Sequence, residues 1–293
     1  MNAEEWFLLG SLIKVDNRKL FVYDSDPHAD DSRSTLLILH GYPTCSYDYY
    51  KALPYLEKYF RVIVHDHLGF GYSDKPHSYS YSLIEQADFA LLLWQKLGIQ
   101  KAHILAHDYG TSVVTEIIAR HNKFKLNNLM IQSVTLCNGS MHIEMAKLRL
   151  IQKLLLSKIT GPIMAKFSSK KTLSKNLKNI YFDANKISND EINSLWKMMT
   201  HNSGRSVLHK STQYIKERYM FWHRWIGALK NTDLVINIVW AKNDPIAVVA
   251  MAHVIFDETH HSQLVVLENL GHFPMLEAPN KWADAVIHVI DNI

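Results

Sequence analysis

Short aliphatic runs recur along the chain without polar alternation: "LFVY" (20–23), "TLLILH" (35–40), "RVIVHD" (61–66), "KAHILA" (101–106) and "LMIQSVTLC" (129–137). Strands of this kind are buried on both faces, as in a parallel sheet between helix layers. Helix-period stretches lie between several of them. In "SLIEQADFALLLWQKLG" (82–98), Leu83, Ala87, Ala90, Leu91 and Trp94 recur at three- and four-residue intervals, and Gly98 stands where a helix C-cap belongs. After Asn138 the texture changes. From about 141 to 232 the pattern is helical, with no convincing strand. Alternation then returns: strand 233–241, helix 247–258, strand 263–268 and a final helix 278–292. This predicts one α/β core, 1–140 and 233–293, interrupted by a helical cap at 141–232 that is too long and too periodic for a plain loop.

Composition narrows the class. With 293 residues, 47% hydrophobic, 20% charged and a net charge of +4, the chain has enough apolar material for a large core and too little basicity to argue for nucleic acid. The two cysteines, Cys45 and Cys137, have no C-x-x-C partner. No disulfide framework or metal site is expected from them, and a reducing, cytoplasmic setting follows. The opening "MNAEEWFLLGSLIKV" is acidic early and its apolar stretch is short and interrupted, so it reads neither as a signal peptide nor as a membrane span.

In an open parallel sheet the chemistry collects beyond the carboxyl ends of the strands. After "KAHILA" comes His107-Asp108-Tyr109-Gly110, a strand–turn–helix with Asp108 at its apex and small residues at 106 and 110. After "LVINIVWA" comes Asp244-Pro245, and after "QLVVLE" comes Gly271-His272-Phe273-Pro274. The order nucleophile, acid, histidine is that of a hydrolase triad. Asp108 by itself reads equally well as a turn-forming residue, and Asp244 before Pro245 as a helix cap; it is the ordered set that points to catalysis. The strand ending at Cys137 leads into the neutral Asn138, so Asp244 is the expected orienting carboxylate. His40-Gly41-Tyr42-Pro43 follows "TLLIL" and reads as an oxyanion loop, the N–H of Tyr42 joining that of Tyr109. "DHLGFGYSDKP" (66–76) lacks G-K-[ST] and a helix-opening G-x-G-x-x-G, so it is not a phosphate loop; Asp74 is expected in a structural turn network, and His107 in a supporting role.

Together, HGYP, "DHLGFGYSDKP", AHDYG, NDP and GHFP fall in an order that resembles the α/β-hydrolase superfamily over nearly the whole chain. Aspartate at the elbow is similar to the epoxide hydrolase and haloalkane dehalogenase branch. "HGYPTCSYDYY" and "QYIKERYMFWHRWIGAL" (213–229) most resemble the mesoderm-specific transcript group within it. The resemblance implies a mostly parallel eight-stranded sheet flanked by helices, with the cap after the sixth strand, and no cofactor or metal. It implies that Asp108 attacks an sp³ carbon to form an alkyl ester, which water activated by His272 then cleaves. A dehalogenase of this branch binds halide through an Asn after HG and a Trp after the nucleophile; here those positions hold Tyr42 and Tyr109, although the Tyr109 hydroxyl is a donor. An epoxide hydrolase uses the aromatic of HGxP and tyrosine acids from the cap, for which Tyr214 is the first candidate and Tyr181 a weaker second. Epoxide hydrolysis of a small apolar substrate is therefore the leading expectation, dehalogenation the alternative, and an idle ligand-binding fold the third.

The stretch 147–179 carries eight lysines and Arg149 with no acidic residue. Such a run is usually a solvated helical face. The sharper reading is a peripheral membrane contact through the basic cap, with Leu148, Ile151, Leu154 and Leu155 as its apolar side.

Overall fold

The computed structural model describes residues 1–29, 33–126 and 128–291. Eight strands form one sheet: β1 (Ser11–Val15), β2 (Arg18–Asp24), β3 (Thr35–Leu39), β4 (Arg61–His65), β5 (Lys101–His107), β6 (Met130–Cys137), β7 (Ile236–Ala241) and β8 (Ser262–Leu267). Their order is β1-β2-β4-β3-β5-β6-β7-β8. β1 pairs antiparallel with β2, and β2 antiparallel with β4; the pairs from β4 through β8 are parallel.

Alternate residues of the central strands serve opposite faces. On β3, Leu37 and Leu39 join the helices Leu83–Lys96 and Tyr109–Phe124 through Leu93, Trp94, Val113 and Ile117. Leu36 and Ile38 face the other way, towards Trp282, Ala283 and Val286 of the last helix, Pro279–Asp291. Every β3 residue is buried, which is why the run shows no polar alternation. The expected end of the last helix at position 292 lies outside the described residues.

The amino terminus differs from expectation. A helix, Ala3–Leu9, precedes β1, started by an Asn2–Glu5 capping box. Its Trp6 is fully buried against Phe21, Tyr23 and Tyr47. The early acidic residues thus belong to a helix start. β1 escaped notice because it is an edge strand whose first four residues are not buried.

Between β6 and β7 the chain is helical, in six main pieces: Leu150–Leu156, Thr160–Lys166, Lys170–Lys178, Asn189–Thr200, Tyr214–Met220 and Trp222–Lys230. Glu116 of the helix after β5 fastens the last of these. Its carboxylate accepts from Arg224 (2.8 and 2.9 Å) and from the Trp225 indole (2.8 Å). Three of the four apolar residues expected to face a membrane turn inward instead: Leu155 is buried, Ile151 lines a cavity, and Leu148 packs partly buried on the core, while Leu154 is half-buried. Among the described residues no helix is long and apolar enough to cross a membrane.

Candidate active site

The turn after β5 is held in a conformation that few side chains adopt. Asp108 has φ 47° and ψ −107°, a left-handed geometry that costs about 1–3 kcal/mol and persists only where its surroundings enforce it. They do so here. Its N–H donates to the Cys137 carbonyl (3.2 Å). Its carbonyl accepts from the Thr111 N–H (3.2 Å), the Thr111 hydroxyl (2.5 Å) and Arg218 Nη2 (3.0 Å). Gly110 has no alternative in this packing, because a Cβ there would lie 2.3 Å from the Leu39 carbonyl oxygen. The small residue expected at 110 is required by the neighbouring strand.

The predicted residues converge on that turn. The Tyr42 N–H donates to Asp108 Oδ1 (2.9 Å). His272 Nε2 stands 3.6 Å from Asp108 Oδ2, and His272 Nδ1 stands 2.6 Å from Asp244 Oδ2. Asp244 is fixed by three further donors: Asn138 Nδ2 (2.8 Å) and the N–H groups of Ile246 (2.7 Å) and Ala247 (3.0 Å). Tyr109 opens the helix Tyr109–Phe124, so its N–H has no intrahelical acceptor. All three ionisable groups are buried. Burial alone would raise the Asp108 carboxyl, but the close approach and charge of His272, followed by the charge of Arg218, hold it well below the usual carboxylate range. Burial alone would lower His272; the charge of Asp244, the close approach of Asp108 and the hydrogen bond to Asp244 outweigh it and push the imidazole up to about 10. Both shifts favour a charged pair, the Asp108 carboxylate with the His272 imidazolium.

Histidines also build the layer beneath. His107 Nε2 donates to the His272 carbonyl (2.8 Å); burial, then the charge of His272, lower it to about 4, so it is neutral. Gly41 permits this contact, since a Cβ there would sit 2.9 Å from His107 Nδ1. His40, expected near substrate, does not reach it. It is fully buried, Nδ1 donates to the Gly41 carbonyl (2.8 Å), and Nε2 accepts the His67 N–H (2.9 Å). Both nitrogens are engaged in shaping the loop. Asp74 accepts the Lys19 N–H (2.8 Å), in a turn network as expected.

A cavity of about 140 Å³ lies over the site. Tyr42, Asp108, His272 and Ile246 form its floor; Ile151, Leu155, Met164, Phe167, Leu173 and Leu177 are the main apolar residues that the helical segment contributes to its roof, and Arg149, Gln152, Ser168, Ser169, Thr172 and Asn176 are its polar ones. Three tyrosines are placed differently from expectation. The Tyr109 side chain is packed on His67 and Phe70 away from the cavity wall, its hydroxyl without a partner among the described residues. It is no halide donor. Tyr181 packs on Phe273 and does not line the cavity. Tyr214 stands one layer back: its ring meets Tyr42 and Tyr109, and its hydroxyl accepts from Gln152 Nε2 (3.3 Å). Burial, then the Asp108 charge, raise its phenol.

Two contributors were missed. Arg218 is buried, donates to the Asp108 carbonyl and to Ser112 Oγ (2.7 Å), and lies 4.6 Å over the Tyr214 ring. The only sequence signal was its four-residue spacing from Tyr214, which puts both on one helix face. Ile180 is the second: its carbonyl accepts the His272 N–H (2.8 Å), a backbone contact with no side-chain signature.

The sequence matches the family model described as the alpha/beta hydrolase fold over residues 34–279. It is 34% identical over 256 residues to the putative hydrolase LipZ of Mycobacterium tuberculosis, covering 87% of this chain and 88% of that protein. It is 31% identical to the mesoderm-specific transcript protein of Mus musculus, covering 98% of this chain and 87% of that protein. Among solved structures, the haloalkane dehalogenase DbeA of Bradyrhizobium elkani superposes with a TM-score of 0.81 over 97% of each chain; at 17% identity the likeness is one of fold.

Proposed function

The chain belongs to the alpha/beta hydrolase fold family, and from that premise we propose that it hydrolyses epoxides through an ester on Asp108. The observation that carries this reading is the Asp108 carboxyl at the elbow, with His272 Nε2 at 3.6 Å, facing a largely apolar cavity. A carboxylate needs no deprotonation before it attacks carbon.

In the first step an Asp108 oxygen attacks a ring carbon. The new C–O ester bond forms as the strained ring C–O bond breaks, and the alkoxide takes the proton of His272 Nε2. Of the protons at the cavity wall, that of the imidazolium is the one beside the nucleophile. The ester is neutral, so one of the two charges that held the imidazolium is gone, and a neutral imidazole remains with its Nδ1–H on Asp244. Water then gives a proton to Nε2 as it attacks the ester carbonyl, with the N–H groups of Tyr42 and Tyr109 stabilising the oxyanion. Collapse releases the diol, protonated from Nε2, and the new carboxyl returns its proton to His272. The apolar roof favours small, largely apolar substrates. Dehalogenation is the weaker reading, because the positions after HG and after the nucleophile hold Tyr42 and Tyr109 and the Tyr109 side chain stands off the cavity, although the Gln152 and Asn176 amides line its wall.

The test is to incubate the protein with a panel of epoxides and one of 1-haloalkanes, measuring diol and halide. Diol without halide is expected. His272→Gln retains the nucleophile and loses the base, so intact mass should show a hydroxyalkyl adduct on Asp108. Halide release, or a proven substrate that leaves no adduct, overturns the scheme.

A further inference from the structure

The helical segment over the cavity presents an unusual outer surface. On the helix Thr160–Lys166 and its flanks, Ile159, Ile163 and Phe167 recur every four residues and are 80%, 52% and 74% exposed. That spacing puts them on one face. Leu150, 73% exposed, belongs to the same region: its neighbours Arg149 and Ile151 line the cavity together with Phe167. Large apolar side chains at such exposure are individually ordinary, but a contiguous group marks a contact surface.

The charge around this face has one sign. All eight lysines of 147–179 are exposed, and the stretch contains no acidic residue. Lys170 donates to Asn193, and none of the eight forms an ion pair among the described residues. Beside the apolar face runs a groove lined by Lys166, Arg205 and His209 with the hydroxyls of Thr200, Ser203 and Ser206, and no carboxylate lines it. A second exposed apolar group, Phe7, Leu8 and Leu9, is flanked by Glu4 and Glu5 and lacks this character.

We propose that this face docks on an anionic phospholipid bilayer, with Leu150, Ile159, Ile163 and Phe167 seated among the acyl chains and the lysines among the headgroups. Charge complementarity selects the occupant: apolar residues ringed by unpaired lysines suit an interface with apolar depth and anionic rim. Phe167 belongs both to the exposed face and to the cavity wall. Docking therefore brings the cavity opening to the membrane, and an apolar substrate passes from lipid to Asp108 without crossing bulk water. The docking inference is independent of which bond the site cleaves.

Co-sedimentation with phosphatidylcholine vesicles, with and without phosphatidylserine, tests it. Binding is expected only to the phosphatidylserine vesicles and should fall with salt. Lys158→Gln with Lys166→Gln should lower the partition coefficient about thirtyfold, since each basic residue near the surface contributes roughly fivefold. Ile159→Ser with Ile163→Ser should lower it at least about tenfold. These four positions are exposed and off the cavity wall, so an unchanged melting curve confirms that each variant is folded. Equal binding to both vesicle types, binding to neither, or indifference to the paired substitutions overturns the proposal. So does stronger retention on immobilised polyglutamate than on the vesicles at the same salt, which assigns the face to an acidic protein. A soluble headgroup, glycerophosphoserine, should displace the protein only weakly; full displacement at matched concentration makes the groove a free-anion site and overturns docking.

Discussion

The charge state of His272 has a thermodynamic signature that needs no substrate. Its pKa is about 10 in the folded chain, against about 6.5 for an unfolded histidine. A raised pKa stabilises the fold fully below pH 6.5 or so, and that stability is lost as pH climbs towards the folded value. Within this window the slope is about 1.4 kcal/mol per pH unit, so about 2.7 kcal/mol is lost between pH 7 and 9. For 293 residues, at about 2.1 cal/mol/K each, the unfolding entropy is about 0.6 kcal/mol/K, and the loss corresponds to about 4–5 °C in Tm. Other groups titrate in the same range. Lys75, lowered by burial to about 8, is one, so the comparison must subtract them. Asp108→Asn with His272→Gln removes the coupled pair and leaves Asp244 on its three other donors. Calorimetry of both proteins at pH 7, 8 and 9 should show the wild-type advantage shrinking by about 4–5 °C over that span. A difference constant within about 1 °C means that His272 is not held as an imidazolium, and the proton assigned to ring opening must come from elsewhere.

Four further outcomes follow from the geometry. Asp244→Asn sets an amide N–H against Asn138 Nδ2 and removes the acceptor for His272 Nδ1, so kcat should fall about 10³–10⁴-fold with ester accumulating in rapid-quench mass spectra; a loss under about tenfold would dismiss Asp244 as the orienting group. Tyr214→Phe should change diol formation by less than about tenfold, whereas a loss above a hundredfold, the range of a general acid, would transfer the ring-opening proton to Tyr214. Arg218→Met deletes one of three donors to the Asp108 carbonyl and should cost about 1.5–3 kcal/mol, read as a fall of about 3–5 °C in Tm. Gly110→Ala drives a methyl into the Leu39 carbonyl and should lower Tm by more than about 5 °C or abolish soluble expression, while a normal melt would show that β3 and the elbow can separate.

What was legible from sequence followed from periodicity and order. Buried parallel strands advertise themselves as unbroken aliphatic runs, and the functional positions lie immediately after them. Asp108, Asp244 and His272 could therefore be named without coordinates. β1 was not legible because an edge strand buries little and shows no pattern. The tyrosines failed for another reason: sequence places a residue on an element but does not fix which way its ring turns. Tyr109 follows the nucleophile directly, yet helix geometry swings its side chain under the loop towards His67 and Phe70. Arg218 was hidden because a cationic side chain on a helix is ordinarily solvated; its burial depends on meeting the Asp108 carbonyl and the Tyr214 ring, some hundred residues apart in sequence.

The hydrogen bond from the His272 N–H to the Ile180 carbonyl ties the histidine loop to the architecture above it. Gly271 lies so close to this strap that a Cβ would meet the Ile180 oxygen at 2.5 Å, and Glu277 grips both sides, accepting from the N–H groups of Gly271 (2.8 Å) and Phe182 (3.0 Å). The helical segment is thus stitched to the histidine loop at one edge. The seam fixes 180–182 to the histidine loop, whereas none of these contacts reaches 150–167. Excising the segment would therefore also remove the backbone anchor of His272, the base in the proposed reaction.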